Sequence, residues 1–109
     1  ASLSHRLLTG ELRERIGFRG PLFSDDLMMG ALHTFGDAST LVRMAIQAGC
    51  DMVLLCNDDT ATDGVLYGNS LPPQSEASSG RLEKMRPTSA ALLNIKAMEK
   101  ARKLVRKYA

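Results

Sequence analysis

Two adjacent carboxylates, Asp25 and Asp26, follow a short apolar run and are the residues best suited to chemistry in this chain. The run begins after Gly20 and is typical of a buried strand, so its acids would lie at the rim of a sheet or barrel. α/β proteins hold their active sites at that rim. Neighbouring strand residues point to opposite faces, so one acid acts and the other supports it. The alternative is that both acids only open a turn.

The surrounding sequence predicts a strand–helix–strand unit that would position these acids. A short strand is expected at 22–24. Pro21 lacks the N–H that strand pairing needs and is tolerable at the first residue of a strand, so the strand does not begin earlier. An amphipathic helix over 38–48, opened by Asp37 and closed by Gly49, leads to an apolar strand at 52–56. The two strands are expected to be parallel neighbours with the helix packed on them. Residues 27–36 predict a loop or helical turn, in which His33 is a weak candidate for a general base.

Further helices are expected on both sides of this unit. A helix over 5–16 would be capped by Ser2 or Ser4 and would end at Gly17, with Arg13 facing solvent. Its predicted apolar stripe consists of Leu7, Leu8, Leu12 and Ile16. Residues 57–60 would cap a helix ending near 67, residues 68–80 form a linker-like loop, and helices follow at 80–86 and after Pro87, capped by Thr88 or Ser89.

The last predicted helix is amphipathic and strongly basic. One face carries apolar residues, and the remainder is crowded with cations. The apolar residues are Ala97, Met98, Ala101, Leu104, Val105 and Tyr108, and the cations are Lys96, Lys100, Arg102, Lys103, Arg106 and Lys107. A solvated basic face is favoured over a nucleic-acid contact, because no aromatic residue is interleaved for base stacking. We therefore expect neither a nucleic-acid nor a membrane partner.

Composition indicates an ordinary globular protein. The 109 residues are 44% hydrophobic and 24% charged, with a net charge of +2. The chain has no apolar run of the ~20 residues that a membrane-spanning helix needs. Cys50 and Cys56 would lie ~20 Å apart on an extended strand, so we expect reduced, buried thiols and a cytoplasmic location. Neither a zinc-ligand spacing nor a nucleotide-binding fingerprint is present, so no metal or organic cofactor is expected.

Several motifs in register resemble one known family. They are ASLS at 1–4, LRERIGFRG at 12–20, SDDLM at 24–28, GDA at 36–38 and AIQAGCDMVLLCN at 45–57. Together they resemble the bacterial β-N-acetylglucosaminidases of glycoside hydrolase family 3, the peptidoglycan-recycling type. The resemblance implies the C-terminal part of a (β/α)₈ TIM barrel, about two βα units plus terminal helices. Since such a barrel needs roughly 250 residues, we expect a fragment: βα units over 1–67, the loop 68–80, and helices of the same domain over 81–109.

The resemblance also implies a retaining hydrolase acting on terminal β-linked N-acetylglucosamine of peptidoglycan-derived muropeptides. Asp25, the first acid of SDDL, would be the nucleophile, with Ser24, Asp26 and Met28 as residues that support it or line the rim of the pocket. The family's acid/base, a His-Asp pair, and its sugar-gripping residues would lie upstream. This chain alone is then expected to be inactive and to need the remainder of the barrel, possibly as a separate chain. The alternative is a non-catalytic interaction module whose open sheet edges pair with another chain.

Overall fold

A parallel two-stranded sheet with a connecting helix forms the centre of the fold. The computed structural model describes residues 1–69, 71–87 and 95–108. Strands β1 (Phe23–Asp26) and β2 (Met52–Leu54) pair in parallel, with Phe23 opposite Met52 and Asp26 opposite Leu54. A 3₁₀-helix (Gly30–Phe35) and helix α1 (Ala38–Ala48) connect them. This arrangement confirms the predicted parallel neighbours with a helix packed on them.

Both strands differ in length from the prediction. The first strand extends through both acids instead of ending at Ser24. Pairing continues beyond Asp26, because the Leu27 N–H donates to the Leu54 carbonyl oxygen at 2.9 Å. The second strand ends at Leu54 rather than at Cys56, whose N–H donates to the Asp26 carboxylate instead of to a strand backbone. Tertiary pairing therefore sets both ends.

Helix α1 supplies four of the eight buried core residues. Asp37 caps it by accepting the Thr40 N–H at 2.8 Å, and Gly49 ends it with φ 122°. A Cβ at Gly49 would lie 2.9 Å from Thr9 Oγ1, so glycine is required there for space as well as for its dihedral angle. The helix 38–48 is confirmed. The core comprises Leu8, Leu27, Leu41, Val42, Ala45, Ala48, Cys50 and Val65.

The N-terminal helix is a π-helix over Arg6–Arg15, close to the predicted 5–16. The Ile16 N–H donates to the Glu11 carbonyl oxygen, a bond that spans five residues. Such a helix turns less per residue than an α-helix, so a stripe spaced for 3.6 residues per turn diverges. Leu8 is buried, whereas Leu7 and Ile16 are exposed. The predicted stripe is thus half wrong, while the predicted left-handed Gly17 (φ 77°) is confirmed.

Among the described residues, three helices follow β2. Helix α2 (Asp59–Tyr67) matches the prediction, and Asp58 caps it by accepting the Ala61 N–H at 2.9 Å. Helix α3 (Glu76–Glu83) begins inside the predicted loop 68–80 because the Ser75 hydroxyl accepts the Ser78 N–H. Helix α4 spans Ile95–Tyr108, and its predicted caps at 88 and 89 lie outside the described residues. Within the described ranges, no helix has the length and apolar character needed to cross a membrane.

Candidate active site

The two rim acids point to opposite faces of β1, as their adjacency predicts. Ser24 is buried and Asp26 is half-buried on the face toward α1, whereas Phe23 and Asp25 are exposed on the other face. Asp25 is therefore the acid that a molecule approaching the open face of the sheet would meet.

The Asp26 carboxylate accepts hydrogen bonds from two backbone segments of the rim. Its Oδ1 accepts the Met28 N–H at 2.9 Å and the Cys56 N–H at 3.1 Å. These bonds join the segment after β1 to the segment after β2. The supporting role predicted for Asp26 thus has a geometric basis in the backbone that surrounds Asp25.

Among the described residues, the Asp25 carboxylate accepts a single local hydrogen bond. Its Oδ1 accepts the Asp26 N–H at 2.8 Å, and its own N–H donates to the Ser2 hydroxyl at 3.0 Å. Ser2, one of the two predicted helix caps, thus anchors the acid-bearing strand, while the Ser4 hydroxyl accepts the Leu7 N–H. Asp25 keeps most of its oxygen lone pairs free for a substrate or a donor.

Ser24, Met28 and His33 lie near this rim, and the side-chain hydrogen bonds described for Ser24 and His33 go to backbone groups. The Ser24 hydroxyl accepts the Leu54 N–H at 2.9 Å, which completes the strand pairing where its register is irregular. His33 Nε2 lies 3.2 Å from the Met28 carbonyl oxygen. Met28 is half-buried and packs against the core, which fits a rim position. Phe35, at the end of the 3₁₀-helix that carries His33, is 56% exposed.

The sheet face on the Asp25 side is apolar and uncovered. Phe23, Met52 and Leu54 are 45%, 43% and 42% exposed. Helix α1 packs against β2, and these three apolar side chains of the described sheet remain exposed. Large apolar side chains at the centre of a sheet indicate a face that another layer of chain would cover.

The prediction that both cysteines are buried is correct for Cys50 and wrong for Cys56. Both thiols are unbridged, as expected. Cys56 is exposed because β2 has already ended at Leu54. Loss of solvent around its thiol and the negative charges of Asp26 and Asp25 raise the pKa of Cys56. Across the described residues, no cluster of three His, Cys, Asp or Glu side chains could hold a metal ion.

A buried ion cluster at the opposite end of the strands escaped the sequence analysis. The Asp51 carboxylate, 1% exposed, pairs with Arg13 at 2.8 Å and with Arg81 at 2.7 Å. It also accepts the Leu22 N–H at 2.8 Å. Arg13 is therefore not the solvated residue that was predicted. Burial opposes the charged form, but hydrogen bonds from Arg81, Leu22 and Ser78 and the Arg81 charge outweigh it and lower the pKa of Asp51.

A cavity of about 270 Å³ adjoins this ion cluster, not the rim acids. Asp51, Arg81 and Ser78 line it together with Pro72 and Pro73. The only sequence signal for the cluster is a charged residue at the start of an apolar strand, where burial demands a partner. The partners lie 30 and 38 residues away, beyond the range of helix or strand periodicity.

Comparison with known proteins identifies the family of this strand–helix–strand unit. The model of the glycosyl hydrolase family 3 N-terminal domain matches residues 1–88. The chain belongs to glycosyl hydrolase family 3. The resemblance of residues 1–57 is thereby confirmed, and the family match extends about 30 residues further, through α3.

Family 3 relatives with high similarity are named beta-hexosaminidases. The protein of Nitrosomonas eutropha is 44% identical over 87 residues, which are 79% of this chain and 24% of the relative. That of Thioalkalivibrio sulfidiphilus is 53% identical over 57 residues, 52% of this chain and 16% of the relative. The chain thus spans about a quarter or less of these relatives.

Solved family 3 structures share the same local fold. The beta-N-acetylglucosaminidase from Thermotoga maritima superposes with a TM-score of 0.60 at 28% identity, covering 77% of this chain and 20% of that protein. CbsA from Thermotoga neapolitana gives a TM-score of 0.56 at 31% identity with the same coverage. The mixed helix–strand arrangement described above is therefore that of a segment of a glycoside hydrolase.

Proposed function

We propose that this chain supplies the nucleophile of a retaining exo-β-N-acetylglucosaminidase, and that Asp25 is that nucleophile. The observation that carries the proposal is the exposed Asp25 carboxylate at the carboxyl end of β1, within the part of the chain that matches family 3. The names of the relatives support an N-acetylhexosamine substrate. A terminal β-linked N-acetylglucosamine on muropeptides, hydrolysed in the cytoplasm, is the specific substrate and location proposed.

Hydrogen bonding favours Asp25 over Asp26 as the nucleophile. Asp26 Oδ1 accepts two N–H bonds and is half-buried, so its attack would break the bonds that fix the rim. Asp25 accepts one local N–H bond and faces the open side. A carboxylate oxygen with free lone pairs can attack an anomeric carbon, form a glycosyl-enzyme ester and release the leaving-group oxygen once an acid protonates it.

Residues beyond this chain complete the proposed reaction. A retaining enzyme needs an acid/base about 5–5.5 Å from the nucleophile in the usual arrangement, and the family resemblance implies that this group lies upstream. Water activated by that group then attacks the anomeric carbon, which restores the Asp25 carboxylate and frees the sugar. The uncovered face formed by Phe23, Met52 and Leu54 supports a (β/α)₈ barrel in which further strands close over this side.

A chimaeric enzyme tests this assignment. Residues 1–88 would replace the matching segment of the Nitrosomonas eutropha relative, and turnover of an aryl N-acetyl-β-glucosaminide would be measured. Asp25→Asn should lower kcat by about 10³-fold or more, because the covalent step loses its nucleophile. A fluorinated N-acetylglucosaminyl fluoride, which slows breakdown of the glycosyl-enzyme, should leave its label on the peptide containing Asp25.

Asp26→Asn and His33→Ala are the matched controls. Asn keeps an Oδ1 acceptor for the Met28 and Cys56 N–H groups, so Asp26→Asn should retain far more activity than Asp25→Asn. His33→Ala should retain nearly full turnover, since the hydrogen bond described for His33 is to a backbone carbonyl oxygen. A label found on Asp26, or near-normal turnover of Asp25→Asn, would refute the assignment.

A further inference from the structure

Helix α4 differs from the rest of the chain in charge and in burial. Its 14 residues include six cations and one acid, Glu99, whereas the remaining residues carry eight cations and eleven acids. Every residue of the described segment 95–108 is exposed. The family match ends at residue 88, before this helix begins. Charge of one sign gathered on one exposed helix indicates a surface that meets an anionic partner.

The apolar residues of α4 form a continuous stripe. Met98, Ala101, Leu104, Val105 and Tyr108 recur at spacings of three and four, so they share one face. Within that stripe Leu104, Val105 and Tyr108 are 50%, 67% and 75% exposed. All six cations lie outside this stripe, on the remainder of the helix surface. A helix with a solvent-facing apolar stripe flanked by cations has the composition of helices that lie in a bilayer interface.

We propose that α4 is an interfacial helix that binds the surface of an anionic phospholipid bilayer. The stripe would enter the boundary between headgroups and acyl chains, and Lys100, Arg102, Lys103 and Arg106 would lie at the level of the lipid phosphates. Charge complementarity selects this occupant, because an anionic bilayer satisfies the apolar stripe and the cations together. A nucleic acid would pair with the cations and leave the stripe in water. This proposal differs from the solvated basic face expected from sequence.

Two apolar positions on α4 provide a matched test. Val105, 67% exposed, lies in the stripe, whereas Ile95, 66% exposed, lies about 120° from the centre of the stripe, beside Arg102 and Arg106. The 109-residue chain and its Val105→Gln and Ile95→Gln variants would be sedimented with vesicles of phosphatidylcholine containing phosphatidylglycerol. Neither substitution changes the charge. Val105→Gln should weaken partitioning by about fivefold or more, and Ile95→Gln by less than about twofold.

Lipid charge and salt test the electrostatic half of the proposal. Vesicles of phosphatidylcholine alone, or a rise in salt from 0.1 M to 0.5 M, should weaken partitioning by about tenfold or more. Equal losses for the two Gln variants would overturn the proposal, as would equal binding to neutral and anionic vesicles. Tight binding to duplex DNA that Val105→Gln leaves unchanged, without vesicle binding, would assign the surface to nucleic acid instead.

Discussion

The Cys56 thiol reports on the charge of the two rim carboxylates. It is exposed just after β2, and its backbone N–H donates to Asp26 Oδ1. Loss of solvent, then the charge of Asp26 and that of Asp25, raise its pKa, so the thiol is less reactive than an isolated exposed cysteine. Its reaction rate is therefore a local measure of how negative the rim is.

Removing one rim charge should accelerate alkylation of Cys56. In Asp26→Asn the pKa of Cys56 falls and more thiolate is present, so iodoacetamide at pH 8 should react about two- to fivefold faster. Asp25→Asn should have a smaller effect, because the Asp25 charge is the weaker influence on the thiol. The rate is measured by mass spectrometry of the labelled peptides.

Cys50 is the internal control for this measurement. Its thiol is 5% exposed, and burial followed by the Asp51 charge raises its pKa, so it should remain unlabelled until the chain unfolds. Equal labelling rates for the two thiols in the folded chain would contradict the packing described here. Labelling of both thiols after unfolding without reductant would agree with the absence of a disulfide.

At the scale of elements, the Asp51 carboxylate joins four segments that are distant in sequence. Arg13 comes from the π-helix, the Leu22 N–H from the start of β1 and Arg81 from α3, while Asp51 itself precedes β2. Arg13 also donates to the Gly20 carbonyl oxygen at 2.7 Å, which fixes the turn before β1. The cluster thus aligns the starts of both strands, and through them the rim where Asp25 lies.

Asp51→Asn should destabilise the chimaeric enzyme by about 3 kcal/mol, because it leaves two largely buried guanidinium groups without their carboxylate. Urea unfolding at pH 7 measures this difference. The pKa of Asp51 is lowered by folding, so its contribution is present above the ordinary Asp pKa of about 3.9 and is lost as pH falls below it. The difference in the free energy of unfolding between the parent and Asp51→Asn should therefore decrease at acidic pH.

The exposed pair between Arg15 and Glu11 is the comparison for Asp51. Its arginine is 69% exposed, so Glu11→Gln should change the free energy of unfolding by less than about 1 kcal/mol at any pH. If Asp51→Asn changes the free energy of unfolding as little as Glu11→Gln does, the ion cluster does not hold these elements together.

Local signals in the sequence were sufficient to predict the helices whose ends are set by their own capping residues. Helix α1 is bounded by the Asp37 cap and Gly49, and α2 by the Asp58 cap, so both could be predicted without their neighbours. The opposite orientation of Asp25 and Asp26 likewise follows from strand geometry alone. These predictions needed information from only a few adjacent residues.

Features set by distant partners could not be predicted. The ends of both strands depend on bonds between residues about 30 positions apart, such as Ser24 to Leu54. The burial of Arg13 depends on Asp51, 38 residues away. The predicted start of α3 is wrong for a different reason. The serines and prolines of 68–80 are typical of a linker, and this composition conceals the capping role of Ser75.

At the scale of the whole molecule, the described chain is extended and its sheet is unfinished. Its radius of gyration is 17.9 Å, whereas a compact domain of about 100 residues has about 13 Å. Both strands of a two-stranded sheet are edges, and one face of this sheet exposes Phe23 and Leu54. The chain thus presents the surfaces of a larger α/β layer.

This chain alone should not hydrolyse an aryl N-acetyl-β-glucosaminide at a measurable rate. Under the proposed function, the acid/base, whose absence typically costs roughly 10²–10⁴-fold, and the strands that orient the anomeric carbon would be supplied by the remainder of a barrel. The chimaera should hydrolyse the same substrate under identical conditions. Turnover by the isolated chain that Asp25→Asn abolishes would show that these residues suffice on their own.

The spacing of the long-range contacts has a consequence for biosynthesis. Phe23 pairs with Met52, and Asp51 pairs with Arg81, so both contacts close over about 30 residues. A ribosome adds these residues in roughly 1.5–6 s. During translation β1 must therefore wait for β2, and Asp51 must wait equally long for Arg81, with Arg13 as its first partner. We expect the nascent unit to assemble in two stages: β1 pairs with β2, and Arg81 then binds Asp51. Mispairing of the apolar strands should be most frequent in the interval between these two stages.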